Sequence, residues 1–419
     1  MAIPARERQL RVLVLAGNYP TSAAPQRGLW VQRMCDVAAE GGADVRVIVP
    51  TPWVPPLVPV QYLSRFRRVP RHERYRAVDA YFPRVPGWIE YLTHPFDARL
   101  AGRPVLRLAA RLHRERPFDL IHAHFIYPDG VLAARVGREL GIPVMTSEHA
   151  FWTPWLVDKR RVGAQVDAAL PHIRLVTAVS QFLREGIEGY ARGRVALDVL
   201  PNVVDDEVFG PLSTDSQSAR DPNEILFVGL IRRVKRLDVL LRAVADVRRV
   251  MPRLRLRILS ANAFRAYGSD RDEVRSLISS LGLESAVTIV NGTDPAGVAE
   301  AMRRCAFVVV SSARRETFCS VAAEALACGT PLVVTRCGGP EEFVTPADGV
   351  MVPPDDPSAL AAGIVEAFRR RDTFDSSAMR DRIVGRFGRV AWRAAAMEIY
   401  ERVATRGTHT PRAAGALAR

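Results

Sequence analysis

Cysteine is scarce in this 419-residue chain. There are five, an odd number, and none stands in a CxxC or other metal-ligand spacing. That argues against a disulfide framework and a zinc site, and fits a reducing cytoplasm. Long apolar runs are missing as well. Near the start, Val12-Leu13-Val14-Leu15 is too short for a secretory core and has no cleavage site. No stretch approaches the roughly 20 apolar residues of a membrane-spanning helix. The expectation is a soluble cytoplasmic protein, or at most one peripheral on the inner face of the plasma membrane. Lysine is nearly absent, so the net charge of +14 is almost all an arginine excess. Zinc-finger, RRM and KH signatures are lacking, and nucleic acid is not expected as a partner. Attraction to an anionic membrane surface and a merely solvated arginine-rich surface both account for the charge. A GxGxxG dinucleotide fingerprint is also absent. Asp270-Arg271-Asp272 has the form of a metal-binding DxD, but it opens a charged helix (Val274, Leu277, Ile278) and reads as solvated. No metal is expected.

What is present suffices for two α/β domains: 419 residues, 48% of them hydrophobic. Residues 10–16 read as a strand, Leu29 to Glu40 as a helix closed by Gly41-Gly42, and Val45–Val49 as the next strand. This is a βαβ unit with Gly28 in the loop before its helix. Residues 51–63 are rich in Pro, Trp and Val without a period, and Arg65, Arg67, Arg68, Arg71, Arg74 and Arg76 follow. Clustered arginine beside apolar residues suits an interfacial surface, an acidic acceptor or a solvated insertion. A helix is expected around 100–115, and then a strand, Phe118 to Phe125, that carries His122 and His124. Pro128-Asp129-Gly130 begins another helix, and Val144 to His149 is a further strand. His122 is expected on the side opposite His124 and in a structural role. Residues 210–223, rich in Ser, Pro and Asp, read as a linker. A second domain starts with Ile225–Val228, Gly229 and a helix from about Leu237 to Val250. Between them lie Arg232, Arg233 and Lys235, cations suited to a diphosphate.

The most informative stretch runs from Ser311 to Val352. A β-rich run, Phe307–Val310, feeds a polar loop, then a helix stopped by Gly329 and Pro331, then the strand Leu332–Val334. Glu316 stands before that helix and Glu324 inside it. Free amides at a helix N-terminus can hold a phosphate, and two carboxylates can accept from hydroxyls, so the pattern suits a sugar nucleotide. Two acids eight apart are commonly solvated, so the spacing is weak by itself. The continuation Glu324-Ala-Leu-Ala-Cys-Gly-Thr-Pro331 and Arg336-Cys-Gly-Gly-Pro-Glu-Glu342 makes it specific.

This run resembles the donor-binding signature of the family 4 retaining glycosyltransferases. The resemblance implies a GT-B fold: two Rossmann-like domains facing across a central cleft, with a C-terminal helix crossing back to the first domain. It implies an N-terminal acceptor-side domain at 1–209, completed by 388–405, a linker at 210–223 and a nucleotide-sugar domain at 224–387. Residues 406–419 are expected to be a disordered tail. Val390 to Val403 would be the crossing helix, with Phe387, Val390, Trp392, Ala396, Ile399 and Tyr400 on one face. It further implies a catalytic set of Glu316, His124, Arg232 and Lys235. The donor, a UDP- or GDP-linked sugar, would lie against Gly28, Arg232, Lys235, Glu316, Phe318, Cys319, Ser320 and Glu324. Gly28 could equally serve only its turn. His149, Arg65, Arg67 and Arg68 are the acceptor-side candidates. Three positions depart from the family pattern: Leu230 replaces an arginine, no glycine pair follows Leu259, and Cys319 stands where glycine is usual.

The implied activity is transfer of a sugar to a hydroxyl acceptor, a saccharide or lipid-linked saccharide, in envelope, exopolysaccharide or glycolipid synthesis. No permanently bound cofactor is needed. The alternatives are a GT-B nucleotide-sugar epimerase and a catalytically idle binder of nucleotide sugars or polyanions.

Overall fold

Two of the strands are uninterrupted apolar runs, Val12–Leu15 and Phe307–Val310, and every one of those residues is buried. Such runs belong to parallel sheets covered on both faces, and each lies near the centre of one. The computed structural model describes residues 9–22, 24–55, 66–85, 98–150, 160–211, 220–260, 271–292, 294–313 and 316–405. Arg65, residues 212–219 of the expected linker, Ala261–Ala263, Asp270 and the expected tail 406–419 lie outside the described residues. The chain forms two units. The first comprises the described residues up to Val179, Leu183–Leu200 and those from Arg393; the second comprises Ser180–Phe182 and Pro201–Trp392.

The first unit begins with β1 (Arg11–Leu15), α1 (Leu29–Glu40), β2 (Asp44–Ile48) and β3 (Thr51–Pro52). Then come β4 (His72–Tyr75), β5 (Val78–Tyr81), β6 (Arg84–Val85) and α2 (Ala98–Glu115). After β7 (Leu120–His124) a single π-helical turn, Ile126–Gly130, leads into α3 (Val131–Leu140). The unit continues with β8 (Val144–Glu148), α4 (Arg160–Ala169), β9 (Leu175–Ala178), α5 (Gln181–Ala191) and β10 (Ala196–Val199). The sheet order is β10-β9-β8-β7-β1-β2-β5-β4, with β4 antiparallel to β5, and β3 pairs separately with β6. Strand order reverses between β1 and β7.

The second unit opens with β11 (Asp221–Val228), which starts inside the segment read as linker. It proceeds through α6 (Leu237–Arg248), β12 (Arg255–Ser260), α7 (Arg271–Ser280), β13 (Val287–Asn291) and α8 (Pro295–Arg304). Then come β14 (Cys305–Val310), α9 (Ser320–Ala327), β15 (Leu332–Thr335) and β16 (Gly349–Val352). Helices α10 (Pro357–Arg369), α11 (Ser376–Phe387) and α12 (Arg389–Thr405) finish the described chain. All six strands are parallel, in the order β13-β12-β11-β14-β15-β16. Here the reversal falls between β11 and β14. In open α/β sheets the carboxyl ends of strands at such a reversal are where ligands bind.

Helix α12 has residues in both units. In the second, Trp392 Nε1 donates to Pro201 O at 2.8 Å. In the first, Tyr400 OH lies 2.9 Å from His122 Nδ1, and Arg174 Nη1 donates to Val403 O at 2.6 Å. Trp392, Ala396, Ile399, Tyr400 and Val403 are buried. Val390, expected on the same face, is instead 68% exposed, because at 3.6 residues per turn it lies on the side of the helix opposite Trp392, Ala396 and Ile399.

His122 is sandwiched, its Nε2 2.8 Å from Ser147 Oγ, which in turn pairs with Thr177 Oγ1 at 2.7 Å. Burial, with His149 next, lowers its pKa to about 3, so the ring is neutral. Tyr400→Phe removes one of its two partners within this buried chain of polar groups. It should cost about 1–3 kcal/mol of stability, the usual penalty for an orphaned buried group, read as a lower denaturant midpoint with an unchanged m-value.

Candidate active site

The loops leaving β11 and β14 are stitched together at the reversal of the second sheet. Ala313 N donates to Val234 O at 2.9 Å, and Ser311 Oγ donates to Lys235 O at 2.9 Å. The backbone stitch sets the Lys235 side chain against the loop that carries Glu316. Lys235 Nζ lies 2.5 Å from Glu316 Oε1, and Ser312 Oγ donates to the same oxygen at 2.5 Å. Among the described residues Glu316 Oε2 has no partner. Burial works against the ammonium charge of Lys235, but Glu316 outweighs it and the pKa rises above the usual lysine value.

Glu316 is placed by backbone on its other side. Its N–H donates to Cys337 O and its carbonyl accepts from Gly339 N, both at 2.8 Å. A Cβ on Gly338 would fall 2.7 Å from Glu316 O, and one on Gly339 would fall 2.6 Å from Phe318 Cα. The glycine pair of the motif is therefore the condition for this close approach. Phe318 turns its side chain away from the loop, to Phe343 and Phe387 at 5.5 and 5.1 Å between ring centroids. Only its backbone can serve a ligand.

Helix α9 begins here. The amides of Cys319, Ser320 and Val321 have no acceptor among the described residues, so the positive end of the helix is open to an anion. Glu324 stands within the helix, 9% exposed. Cys319 caps it in the left-handed region, φ 68°, without a side-chain cap bond. Burial and then Glu316 push its thiol well above the usual range, so it stays protonated and is no nucleophile.

Arg232 leaves the same loop. It lines a depression of about 550 Å³ with Arg233, Arg236, Asp238, Glu273 and Leu277. Lys235, Glu316 and the start of α9 are not among its walls. Arg233 pairs with Glu273 at 3.2 Å and Arg236 with Asp238 at 3.0 Å. Arg271, from the DxD-like run, donates to Asn291 Oδ1 at 2.6 Å.

In the first unit the reversal brings the loops after β1 and β7 together, and Gly17 N donates to Asp129 Oδ2 at 2.8 Å. Arg27 holds the β1 loop by bonds to Gly17 O at 2.7 Å and Asn18 Oδ1 at 3.0 Å. Gly28 has φ 67°, and a Cβ there would fall 2.5 Å from Asn18 C and O. That settles its need for the turn.

The histidines are arranged differently from the expectation. His122 and His124 are two residues apart and share a face of β7, as strand periodicity requires; their rings are 4.4 Å apart. His124 is completely buried, its Nδ1 2.9 Å from His149 Nε2 and its Nε2 without a partner. Burial, then His122 and His149, hold its pKa far below the ordinary value. His149 is partly exposed, so of this pair it is the one that can reach a ligand. On the acceptor-side insertion, Arg67 is engaged with the carbonyls of Val54 and Pro55, while Arg68 is exposed.

Sequence reasoning missed Ser312, Asp129 and Glu148. Glu148 is buried and accepts from the amides of Ile126, His149 and Ala150 at 2.8, 3.0 and 3.0 Å. Asp129 Oδ1 is buried and unpartnered. Their position after strand ends was a usable signal, because the carboxyl ends of β7 and β8 are predictable.

These features place the chain in a class before any comparison: two Rossmann-like halves, each with loops converging at its strand-order reversal, the arrangement of GT-B glycosyltransferases. Residues 212–382 match the family model "Glycosyl transferases group 1", and residues 28–208 match "Glycosyltransferase Family 4". The chain is similar to D-inositol 3-phosphate glycosyltransferase 2 of Catenulispora acidiphila, 31% identical over 71% of this chain and 74% of that one. It is also similar to the D-inositol 3-phosphate glycosyltransferase of Stackebrandtia nassauensis, 34% identical over 53% of this chain and 54% of the relative. Among solved structures, sucrose-phosphate synthase of Thermosynechococcus elongatus superposes with a TM-score of 0.71 at 19% identity, covering 94% of this chain and 99% of that one. Anabaena Alr3699/HepE, solved with UDP and glucose, gives 0.69 at 18% identity, covering 94% and 100%. The chain belongs to the group 1, family 4 glycosyltransferases.

Two outcomes follow from the geometry. Cys319→Gly relieves a left-handed non-glycine residue and should stabilise the fold by about 0.5–1 kcal/mol, measured by chemical denaturation. Burial is the main cause that raises both Asp129 and Glu148 to about 7, against roughly 4 when unfolded. Between those values these two groups hold more protons in the folded chain than in the unfolded one. They therefore contribute stability that is lost as pH rises from about 4 to about 7. Buried His122 and His124 act with the opposite sign, since their lowered pKa values cost stability below about 6.5. Asp129→Asn should make the stability of the variant rise more steeply with pH than that of the wild type over this range.

Proposed function

We propose that this glycosyltransferase uses a nucleoside-diphosphate sugar, UDP- or GDP-linked, and transfers the sugar with retention to a hydroxyl of a saccharide or lipid-linked saccharide. The observation that carries this reading is the Lys235–Glu316 pair, 2.5 Å apart beside the unpartnered amides of α9. A sugar diphosphate answers both halves of it. Phosphate oxygens would take the amides of Cys319 to Val321 and the Lys235 ammonium, and sugar hydroxyls would donate to Glu316. Glu324 would hold the ribose hydroxyls, and Arg232 would add charge at the loop's edge. The UDP and UDP-glucose complexes of Anabaena Alr3699/HepE support this donor class. The D-inositol 3-phosphate glycosyltransferases among the relatives support a hydroxyl-rich acceptor.

In the reaction the bond from the anomeric carbon to the leaving phosphate breaks. The acceptor oxygen forms its bond on the same face, and its proton passes to a phosphate oxygen of the departing diphosphate. No protein nucleophile is required. Lys235 and the helix end stabilise the charge that develops on the diphosphate, a contribution of the kind worth about 10²–10³ in rate. His149, with His124 behind it, and Gly28 belong to the acceptor-side unit. Envelope or exopolysaccharide synthesis is the proposed setting.

Thermal denaturation against UDP, GDP, ADP and their sugar conjugates tests the donor, since a ligand of the folded state raises the melting temperature. A rise with one nucleotide, lost in Glu324→Ala, is the expected result. Lys235→Ala and Glu316→Ala should each lower kcat/KM for the stabilising donor about 10²-fold or more. No rise with any nucleotide at millimolar concentration would overturn the reading.

A further inference from the structure

Helix α2 carries a feature that the donor site does not use. Its buried face is Ala101, Val105, Ala109 and Leu112, each 0–1% exposed. On the opposite face Arg103, Arg107, Arg111 and Arg114 repeat the same spacing, and all four are exposed. Neighbours in this row stand about 5–6 Å apart along the axis, and the whole row spans about 17 Å. From Ala98 to Arg114 the helix has no acidic residue. Glu115 pairs with Arg111 at 3.8 Å and also with Arg46 at 3.7 Å. Arg103, Arg107 and Arg114 have no ion-pair partner among the described residues. Four like charges in a row repel one another, which costs stability unless an anionic partner offsets it.

We infer that the α2 arginine row docks the protein on an anionic lipid surface. The residues beside the row decide between anionic partners. Pro104, Leu106, Leu108 and Ala110 flank it, half-buried, and the helix contains no Asn, Gln, Ser or Thr. A nucleic-acid face would supply such polar groups for phosphate, sugar and base edges. Apolar flanks under a basic row suit the boundary between headgroups and acyl chains. Strand β6 packs on α2, and next to it Trp53 N donates to Val85 O at 2.8 Å. Trp53 is 51% exposed, and tryptophan is a residue that membrane interfaces favour.

The test is vesicle co-flotation of the full chain, with phosphatidylglycerol-containing vesicles against phosphatidylcholine alone, at low and high salt. Wild type should float only with the anionic vesicles and should release at high salt. The variant Arg103→Gln/Arg107→Gln/Arg111→Gln/Arg114→Gln should lose binding at least tenfold. Arg242→Gln/Arg249→Gln/Arg253→Gln/Arg369→Gln, the same charge change on exposed residues of the second unit, should keep it. Unchanged melting temperatures and nucleotide response would show both variants folded, independently of whether the donor reading holds. The inference is overturned if wild type ignores anionic vesicles or if both variants lose binding equally. It is also overturned if duplex DNA binds through the row more tightly than the vesicles do.

Discussion

One contact organises the second unit: the Lys235 ammonium against the Glu316 carboxylate at 2.5 Å. Two half-buried charges are tolerable there only as a pair, since each alone would bear its desolvation cost uncompensated. The requirement propagates outward. Val234 and Ala313 must be backbone partners to set the distance, Ser312 must supply a second donor, and Gly338-Gly339 must lack side chains for the Glu316 strand to come close. The sheet order makes this possible, because β11 and β14 are neighbours at its centre although more than seventy residues separate them.

The first unit uses the same topology for different chemistry. Its reversal joins Gly17 to Asp129 by a hydrogen bond rather than by an ion pair, and the groups around it are held near neutrality. His122 and His124 are uncharged, and Asp129 and Glu148 are raised to about 7. Burial without an opposite charge favours the neutral form of either kind of group. A set of neutral polar groups is suited to hydroxyls. The unpaired amides and ammonium of the second unit are suited to phosphate. This contrast, visible in each unit by itself, supports the proposed division of acceptor and donor between them.

Much of this was legible in the sequence, wherever local pattern decides structure. Leu29–Glu40 is helical at both predicted ends because Gly28 and Gly41 bracket an amphipathic run. Glu316, Glu324 and Lys235 were singled out because the motifs around them resemble those of the family. What escaped depends on three-dimensional neighbours. Nothing local marks Ser312 as a donor to Glu316. Nothing local marks Arg232 as lining a depression with Glu273 and Leu277. The histidines were misplaced by a period-two error, and their ranking turned on burial, which places His149 in front and His124 behind. The α2 row is legible only in retrospect, because its meaning rests on which helix face is covered.

Composition supplies a last argument about the site. The chain has 59 basic residues and only two are lysine, Lys159 and Lys235. In so strong an arginine background, lysine at the central ion pair calls for a physical reason. An arginine there could lay its planar fork on both oxygens of Glu316. It would then occupy Oε2, which lacks a partner among the described residues. Lysine is a compact charge on a flexible stem. It satisfies Oε1 alone, and its single attachment leaves it able to turn to the phosphate of the proposed donor. The cost of that exchange is small because the ammonium trades one oxygen anion for another at similar depth. On the proposed donor mode the pair opens for each donor, and a partner with one point of attachment serves that better than one with two.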